Sequence, residues 1–232
     1  MSIRIGDRYG RIYDYFRYYV PFRMKYGITF NTPHVYWEIY RNTLMYDKPG
    51  FIPKPGEIVF DVGSQYGDFA LLWEKRNHAT VYVFEALPTN FYEIQKNIML
   101  NKSAIHSVLE FVGNGTSIEY EALGNMASRK EGSVLSSPTL KLDDFVYKHQ
   151  VKPDIIKIDV EGFEYEVLEG LDKTLKEISP KIIMETHSRE LRLKCNKFLE
   201  DHGYELFYTG RYGSTDNWMD EVVNLFYGRV WG

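Results

Sequence analysis

Val59-Phe60-Asp61-Val62-Gly63-Ser64-Gln65-Tyr66-Gly67-Asp68 is an apolar run that ends in a glycine-bearing turn and leads into a helical pattern. Each glycine in it has a physical use. Gly63 lets backbone approach a ligand with no Cβ in the way, and Gly67 permits close packing where the helix begins, at free amides that attract negative groups. The spelling is Asp-x-Gly-x-x-x-Gly rather than the Gly-x-Gly-x-x-Gly that brings helix amides onto a dinucleotide pyrophosphate. That difference disfavours NAD.

Outward from this turn the pattern alternates. Glu57 to Val62 reads as a strand, Asp68 to Arg76 as a helix, Thr80 to Phe84 as a strand, and Pro88 to Asn101 as a helix opened by proline. Strand and helix in turn imply parallel βαβ units, a doubly wound α/β domain with a mostly parallel sheet and helices on both faces. Val108 to Leu123 reads as two short strands joined by Gly113-Asn114-Gly115. Further on, Lys141 to Gln150 reads as helix, Asp154 to Asp159 as a buried strand, Phe163 to Glu177 as one helix, Lys181 to Glu185 as a strand and Glu190 to His202 as a helix. Glu205 to Thr209 and Val222 to Tyr227 close the chain as a hairpin pair.

The 232 residues, 44% hydrophobic and 26% charged, exclude a disordered or collagen-like chain. No apolar run approaches the roughly 18 residues that span a bilayer, and Met1 to Gly10 is too polar for a signal peptide, so the expected location is cytoplasmic. The single cysteine, Cys195, excludes an internal disulfide and a cysteine-rich zinc site, and is read as packed within its helix.

Residues 1 to 50 differ from the rest. They hold nine of the 19 tyrosines, among them Tyr13, Tyr15, Tyr18 and Tyr19, with Phe16, Phe22, Phe30 and Trp37 between. They also carry eight Lys/Arg against four Asp/Glu, which leaves 20 against 28 for the remainder. We read residues 1–52 as an aromatic-rich N-terminal extension of one or two helices, a lid or a packing arm, and residues 53–232 as the main domain, opened by Pro53-Lys54-Pro55-Gly56.

Three other clusters carry chemistry. Glu85 ends Val81-Tyr82-Val83-Phe84-Glu85-Ala86, 24 residues after Asp61, where a carboxylate can accept hydrogen bonds from both ribose hydroxyls of an adenosine. In Asp154-Ile155-Ile156-Lys157-Ile158-Asp159-Val160-Glu161-Gly162-Phe163-Glu164, the buried Lys157 requires a carboxylate partner, with Asp61 or Glu185 as candidates. Asp159 and Glu161 fall at the carboxyl edge of the sheet, where ligands bind in open α/β folds. Met184-Glu185-Thr186-His187 ends the next strand and opens onto the same edge. Several titratable groups thus converge on one rim.

These residues resemble the FkbM family of class I methyltransferases. The matching pieces are the Asp61 to Gly67 turn, Phe84-Glu85-Ala86-Leu87-Pro88 with Asn90, Asn97 to Asn101, Thr139 to Asp144, Ile156 to Glu164, Val167-Leu168-Glu169-Gly170 and Glu185-Thr186-His187. The resemblance implies a seven-stranded Rossmann-like sheet, S-adenosyl-L-methionine as methyl donor, and methylation of a hydroxyl on a sugar, glycan or small metabolite. It implies that Asp61, Gly63 and Gly67, with Ser64 in the same turn, border the methionine end of the cofactor. Glu85, beside Ala86, would hold the ribose, and Asp159 would lie near the sulfonium. An adenine contact is expected around Val112 to Leu123.

Methyl transfer needs alignment and a base for the hydroxyl proton. The catalytic candidates are Asp159, Glu161 and His187, the last two as bases. No residue is assigned to a metal, although Asp159, Glu161, Glu185 and His187 form a set of mainly oxygen ligands that would suit Mg²⁺ or Mn²⁺. The expected partner is a small-molecule or glycan acceptor. Two other readings remain: a non-catalytic S-adenosylmethionine-binding module, and an RNA methyltransferase using the basic aromatic arm. The acidic body and the lack of an Asn-Pro-Pro-Tyr segment disfavour the latter.

Overall fold

A computed structural model describes residues 20–31, 46–124, 126–129, 135–211 and 223–229. Among the described residues of the extension, Val20–Tyr26 forms helix α1. Then come β1 (Ile58–Val62), α2 (Asp68–Asn77), β2 (Thr80–Glu85), α3 (Pro88–Asn101) and β3 (His106–Leu109). A small insertion carries β4 (Ile118–Leu123), β5 (Met126–Arg129) and β6 (Leu135–Ser137). The chain continues with α4 (Leu142–His149), β7 (Ile155–Ile158), α5 (Glu164–Glu169), α6 (Asp172–Glu177), β8 (Lys181–Thr186), α7 (Arg189–Asp201), β9 (Glu205–Arg211) and β10 (Val223–Gly228).

Seven strands form one sheet in the order β3-β2-β1-β7-β8-β10-β9, parallel except where β10 runs antiparallel to both neighbours. From β1 the chain first builds outward through β2 and β3, then returns to lay β7 on the other side of β1. The ends of β1 and β7 therefore flank the switch point, where the two crossovers diverge and leave a crevice. This is the doubly wound, seven-stranded, Rossmann-like architecture expected from the sequence.

Strand alternation sorts the core into two layers. Val59, Val81, Val83, Ile155 and Ile183 face one side, against Phe69 to Trp73 of α2 and against Ile28, Phe30, Tyr46 and Phe51 from the chain before β1. Phe60, Val62, Phe84, Ile156, Ile158 and Met184 face the other, against Leu142, Phe145, Val167, Leu168, Cys195 and Leu199. Cys195 is fully buried in α7, as its packed reading required. Residues 27–31 are strapped to α3 by side-chain amides: Thr29 N donates to Asn101 Oδ1 at 2.7 Å and Asn31 N to Asn97 Oδ1 at 2.8 Å. Tyr13, Tyr15, Phe16, Tyr18, Tyr19 and Trp37 lie outside the described residues, as does the connection between β9 and β10. Among the described residues, no helix is long and apolar enough to cross a membrane.

Two segments depart from expectation. Val108 to Leu123 does hold the ends of two strands, but they belong to different sheets: β3 joins the main sheet beside β2, whereas β4 starts a separate three-stranded sheet with β5 and β6, two strands that the sequence pattern did not reveal. The single helix expected over Phe163 to Glu177 is two. At Gly170 a Cβ would stand 2.1 Å from the Gly113 carbonyl oxygen, so the chain turns there under direct backbone contact. Asp143 then restarts the helix by accepting from the amides of Lys173 and Thr174 at 2.9 and 2.8 Å.

Candidate active site

The crevice at the switch point is an open cleft of about 690 Å³, solvent mouth included. Of the residues expected at the site, Gly63, Glu85, Ala86, Asp159 and Glu161 line it. Phe111, Val112 and Ile118, in and beside the stretch where an adenine contact is expected, line it too. Met126 and Ala127 of β5 extend that wall, so the small sheet shapes the cleft. Two of the lining residues, Gln65 and Glu161, hold left-handed backbone at φ 51° and 52°, a cost that proteins accept mainly at functional sites.

On the β1–β2 side, Glu85 is 5% exposed and its two oxygens are already engaged. Oε2 accepts from the Gln65 amide at 2.8 Å, and Oε1 from the Leu87 amide at 2.9 Å and from Asn90 Nδ2 at 3.2 Å. Burial raises its pKa, and these donors, led by the two backbone amides, pull it back without cancelling the rise. A carboxylate offers about four lone-pair sites, so the fixed Glu85 retains capacity for a further donor.

Asp61, Ser64 and Gly67 stand behind this wall rather than on it. Asp61 is fully buried, accepting from Ser64 Oγ at 2.8 Å and from Lys157 Nζ at 3.1 Å. Asp61 and Lys157 are direct partners in the parallel register of β1 and β7, which sets their side chains on one face. Lys157 also lies 3.6 Å from Asp159, with the rings of Phe69 and Tyr46 at 5.4 and 5.9 Å. Burial alone would lower the Lys157 pKa, but the charges of Asp61 and Asp159 raise it above the ordinary value. The glycine roles also sharpen. A Cβ at Gly63 would stand 1.7 Å from the Asp159 carbonyl oxygen, so the space it vacates is filled by the neighbouring strand end, not by a ligand. At Gly67 a Cβ would meet Ile94 at an ordinary 3.6 Å; the helix N-cap there needs glycine for its φ of 74°.

On the β7–β8 side, His187 stands among four acids. Its Nδ1 is 2.7 Å from Oε1 of Glu164, which is fully buried and also accepts from the Gly162 amide. Its Nε2 lies 3.7 Å from Asp159 Oδ1, 3.5 Å from Glu161 Oε2 and 3.7 Å from Glu185 Oε1. Burial would depress the His187 pKa, yet the Glu164 hydrogen bond and the charges of Glu164, Asp159 and Glu161 push it up to about 10. Burial raises Glu161, with His187 opposing and Asp159 assisting. Burial and the charge of Asp159 push Glu185 up to about 7, against His187 and Lys157.

Glu164 and Tyr46 make contacts with this cluster that the sequence reading did not assign. Glu164 was within reach, since it stands three residues beyond Glu161 at the start of a helix on the same rim. Tyr46 was not: it lies before the main domain, yet its hydroxyl donates to Glu185 Oε2 at 3.1 Å while its ring meets Phe69 edge-on at 4.5 Å.

Residues 61–206 match the model of the methyltransferase FkbM domain. The hexuronic acid methyltransferase AglP of Haloferax volcanii is 29% identical over 139 residues, 57% of this chain and 56% of that protein, so the match spans little more than half of the relative. Among solved structures, the methyltransferase FkbM from Methylobacillus flagellatus superposes with a TM-score of 0.54 at 15% identity, covering 83% of this chain and 54% of the other. Aeropyrum pernix fibrillarin with natively bound S-adenosyl-L-methionine gives 0.54 at 16% identity, over 82% of this chain and 76% of the other. At these identities the two structures speak for the Rossmann-like fold alone, whereas the domain match covers more than half of the chain. The protein belongs to the methyltransferase FkbM domain family.

Proposed function

We propose that the chain transfers a methyl group from S-adenosyl-L-methionine to a hydroxyl oxygen of a sugar, glycan or small hydroxylated metabolite. The observation that carries this reading is one cleft with two unlike walls: a backbone-fixed acceptor, Glu85, on one side and Asp159 and Glu161 on the other, with His187 beside these two carboxylates but off the lining. The hexuronic acid methyltransferase among the relatives favours a sugar acceptor.

The lining of the cleft suits the donor in its hydrogen-bonding and apolar chemistry. Glu85 would accept a ribose hydroxyl through its remaining lone pair, and Phe111, Val112 and Ile118 offer an apolar wall for a planar base. When bound, the donor supplies an electrophilic methyl carbon, whose bond to the acceptor oxygen forms as its bond to sulfur breaks, with the electron pair leaving on sulfur. Asp61, Ser64 and Gly67 hold the shape of the turn from behind, and Lys157 ties the ends of β1 and β7 together. Asp159 and Glu161, on the lining, are placed to orient the acceptor and receive its hydroxyl proton; His187, clamped by Glu164, stands 3.7 and 3.5 Å from them, where its charge steadies both carboxylates. Positioning and proton removal together account for the role of these side chains.

Glu161→Gln and His187→Ala should bind S-adenosyl-L-methionine as the parent does and lose about 10²–10⁴-fold in turnover. Calorimetry alongside a methyl-transfer assay on a panel of sugars and hydroxylated metabolites reads both. Full turnover in both variants would remove the cluster from the mechanism. Cofactor binding without turnover of any acceptor by the parent would favour a non-catalytic binding module.

A further inference from the structure

The geometry points to a divalent cation site, of the Mn²⁺ type, formed by Asp159, Glu161 and His187 at the acceptor side of the cleft. This rests on the methyl-transfer reading only for the use of the ion, not for its binding. One ligand atom from each of the three residues lies within 4.8 Å of the other two. The separations of Nε2 from Asp159 Oδ1 and Glu161 Oε2, 3.7 and 3.5 Å, are too long for hydrogen bonds. They approach the spacing of neighbouring ligand atoms around one octahedral ion, about 3.0–3.1 Å for bonds of about 2.1–2.2 Å, so binding would draw the three atoms together by a few tenths of an ångström.

Three further features distinguish this group from a chance cluster of surface acids. The imidazole is oriented as a ligand: Nδ1 faces Glu164 Oε1 at 2.7 Å, so the ring can donate its proton there and turn the Nε2 lone pair toward the two carboxylates. Glu185, 7% exposed, also aims Oε1 at Nε2 from 3.7 Å, and among the described residues that oxygen accepts no hydrogen bond, while Oε2 takes the Tyr46 hydroxyl. That oxygen faces the cluster with lone pairs to spare for a cation. The charges also fail to balance. Asp61, Asp159, Glu161 and Glu164 are four carboxylates, set against the ammonium of Lys157 and at most one imidazolium.

Two carboxylates with one imidazole suit Mn²⁺ better than Ca²⁺, which takes oxygen ligands, and better than a thiolate-seeking ion. An ion there would lower the pKa of an acceptor hydroxyl beside the methyl donor and favour acceptors with two adjacent oxygens.

The test is titration of the chelator-treated full chain with MnCl₂ at neutral pH, following free Mn²⁺ by electron paramagnetic resonance, with S-adenosyl-L-methionine affinity measured separately by calorimetry. The expected result is one Mn²⁺ per chain, with affinity at least tenfold weaker in both Glu161→Gln and His187→Ala. Asp159→Asn serves as a third variant should His187→Ala unfold by circular dichroism. Free Mn²⁺ at millimolar concentration, or variants that bind it as the parent does, would overturn the site. Mn²⁺ binding without S-adenosyl-L-methionine binding would instead uphold the site and sink the cofactor reading.

Discussion

The two walls of the cleft are built on opposite principles. On the β1–β2 wall, Glu85 takes three donors from its own neighbourhood, two of them backbone amides, so its position follows from the course of the chain. On the β7–β8 wall, Asp159 and Glu161 reach the same imidazole at distances beyond hydrogen bonding, and only Glu164 grips it directly. A wall fixed by backbone suits a ligand that is the same in every turnover. A wall of loosely satisfied carboxylates suits variable chemistry, because its charges can respond to a proton, a cation or an acceptor. The difference separates the cofactor problem from the acceptor problem within one sheet edge.

Four substitutions can break or sharpen that contrast. The largest effect is expected from Lys157→Met, which serves both walls: losing the ammonium leaves Asp61 buried and unpaired, a cost of about 3–5 kcal/mol in urea unfolding. A double variant with Asp61→Leu should recover much of it, since two apolar groups replace the pair; no recovery would mean that the methionine itself cannot be packed. Gly63→Ala should follow. Left-handed backbone without glycine costs about 1–2 kcal/mol and overpacking about 1–3 kcal/mol more, together about 2–5 kcal/mol. Because the obstacle is the Asp159 carbonyl, this variant should disturb both walls and weaken the cofactor as well as stability. Gly67→Ala should cost only the left-handed term, about 1–2 kcal/mol, as its Cβ has ordinary room beside Ile94. Equal losses at the two glycines in the same unfolding assay would contradict the distinction drawn between them.

The walls also differ in how much of each could be read from the chain. The strand-turn-helix at Val59 to Asp68 and the acid at Glu85 announce their geometry, because glycine spacing and strand length are local properties. The convergence of Asp159, Glu161 and His187 was legible for the same reason: each ends a parallel strand, and parallel strands end on one edge. Three things were not legible. At Gly170, where one helix ends, the Gly113 carbonyl, distant in sequence, leaves no room for a Cβ. β5 and β6 are three or four residues long and have no apolar alternation to betray them. Tyr46 reaches Glu185 across 139 positions, a contact that no period or motif encodes. The role of the extension beyond Tyr46 and the strap at residues 27–31 is a separate question. Deleting residues 1–45 should retain cofactor binding and lose turnover if the segment acts as a lid, and should cost solubility if it is a packing arm.

The central claim is that Glu85 makes this cleft a site for S-adenosyl-L-methionine. Calorimetric titration of the full chain with S-adenosyl-L-methionine and with NAD, repeated on Glu85→Ala, tests it most directly. The account predicts binding of S-adenosyl-L-methionine alone, weakened at least tenfold by the substitution, as the loss of about 1.5–3 kcal/mol for hydrogen bonds to a charged group requires. Binding of NAD, or equal affinity for S-adenosyl-L-methionine with and without the Glu85 carboxylate, would contradict it.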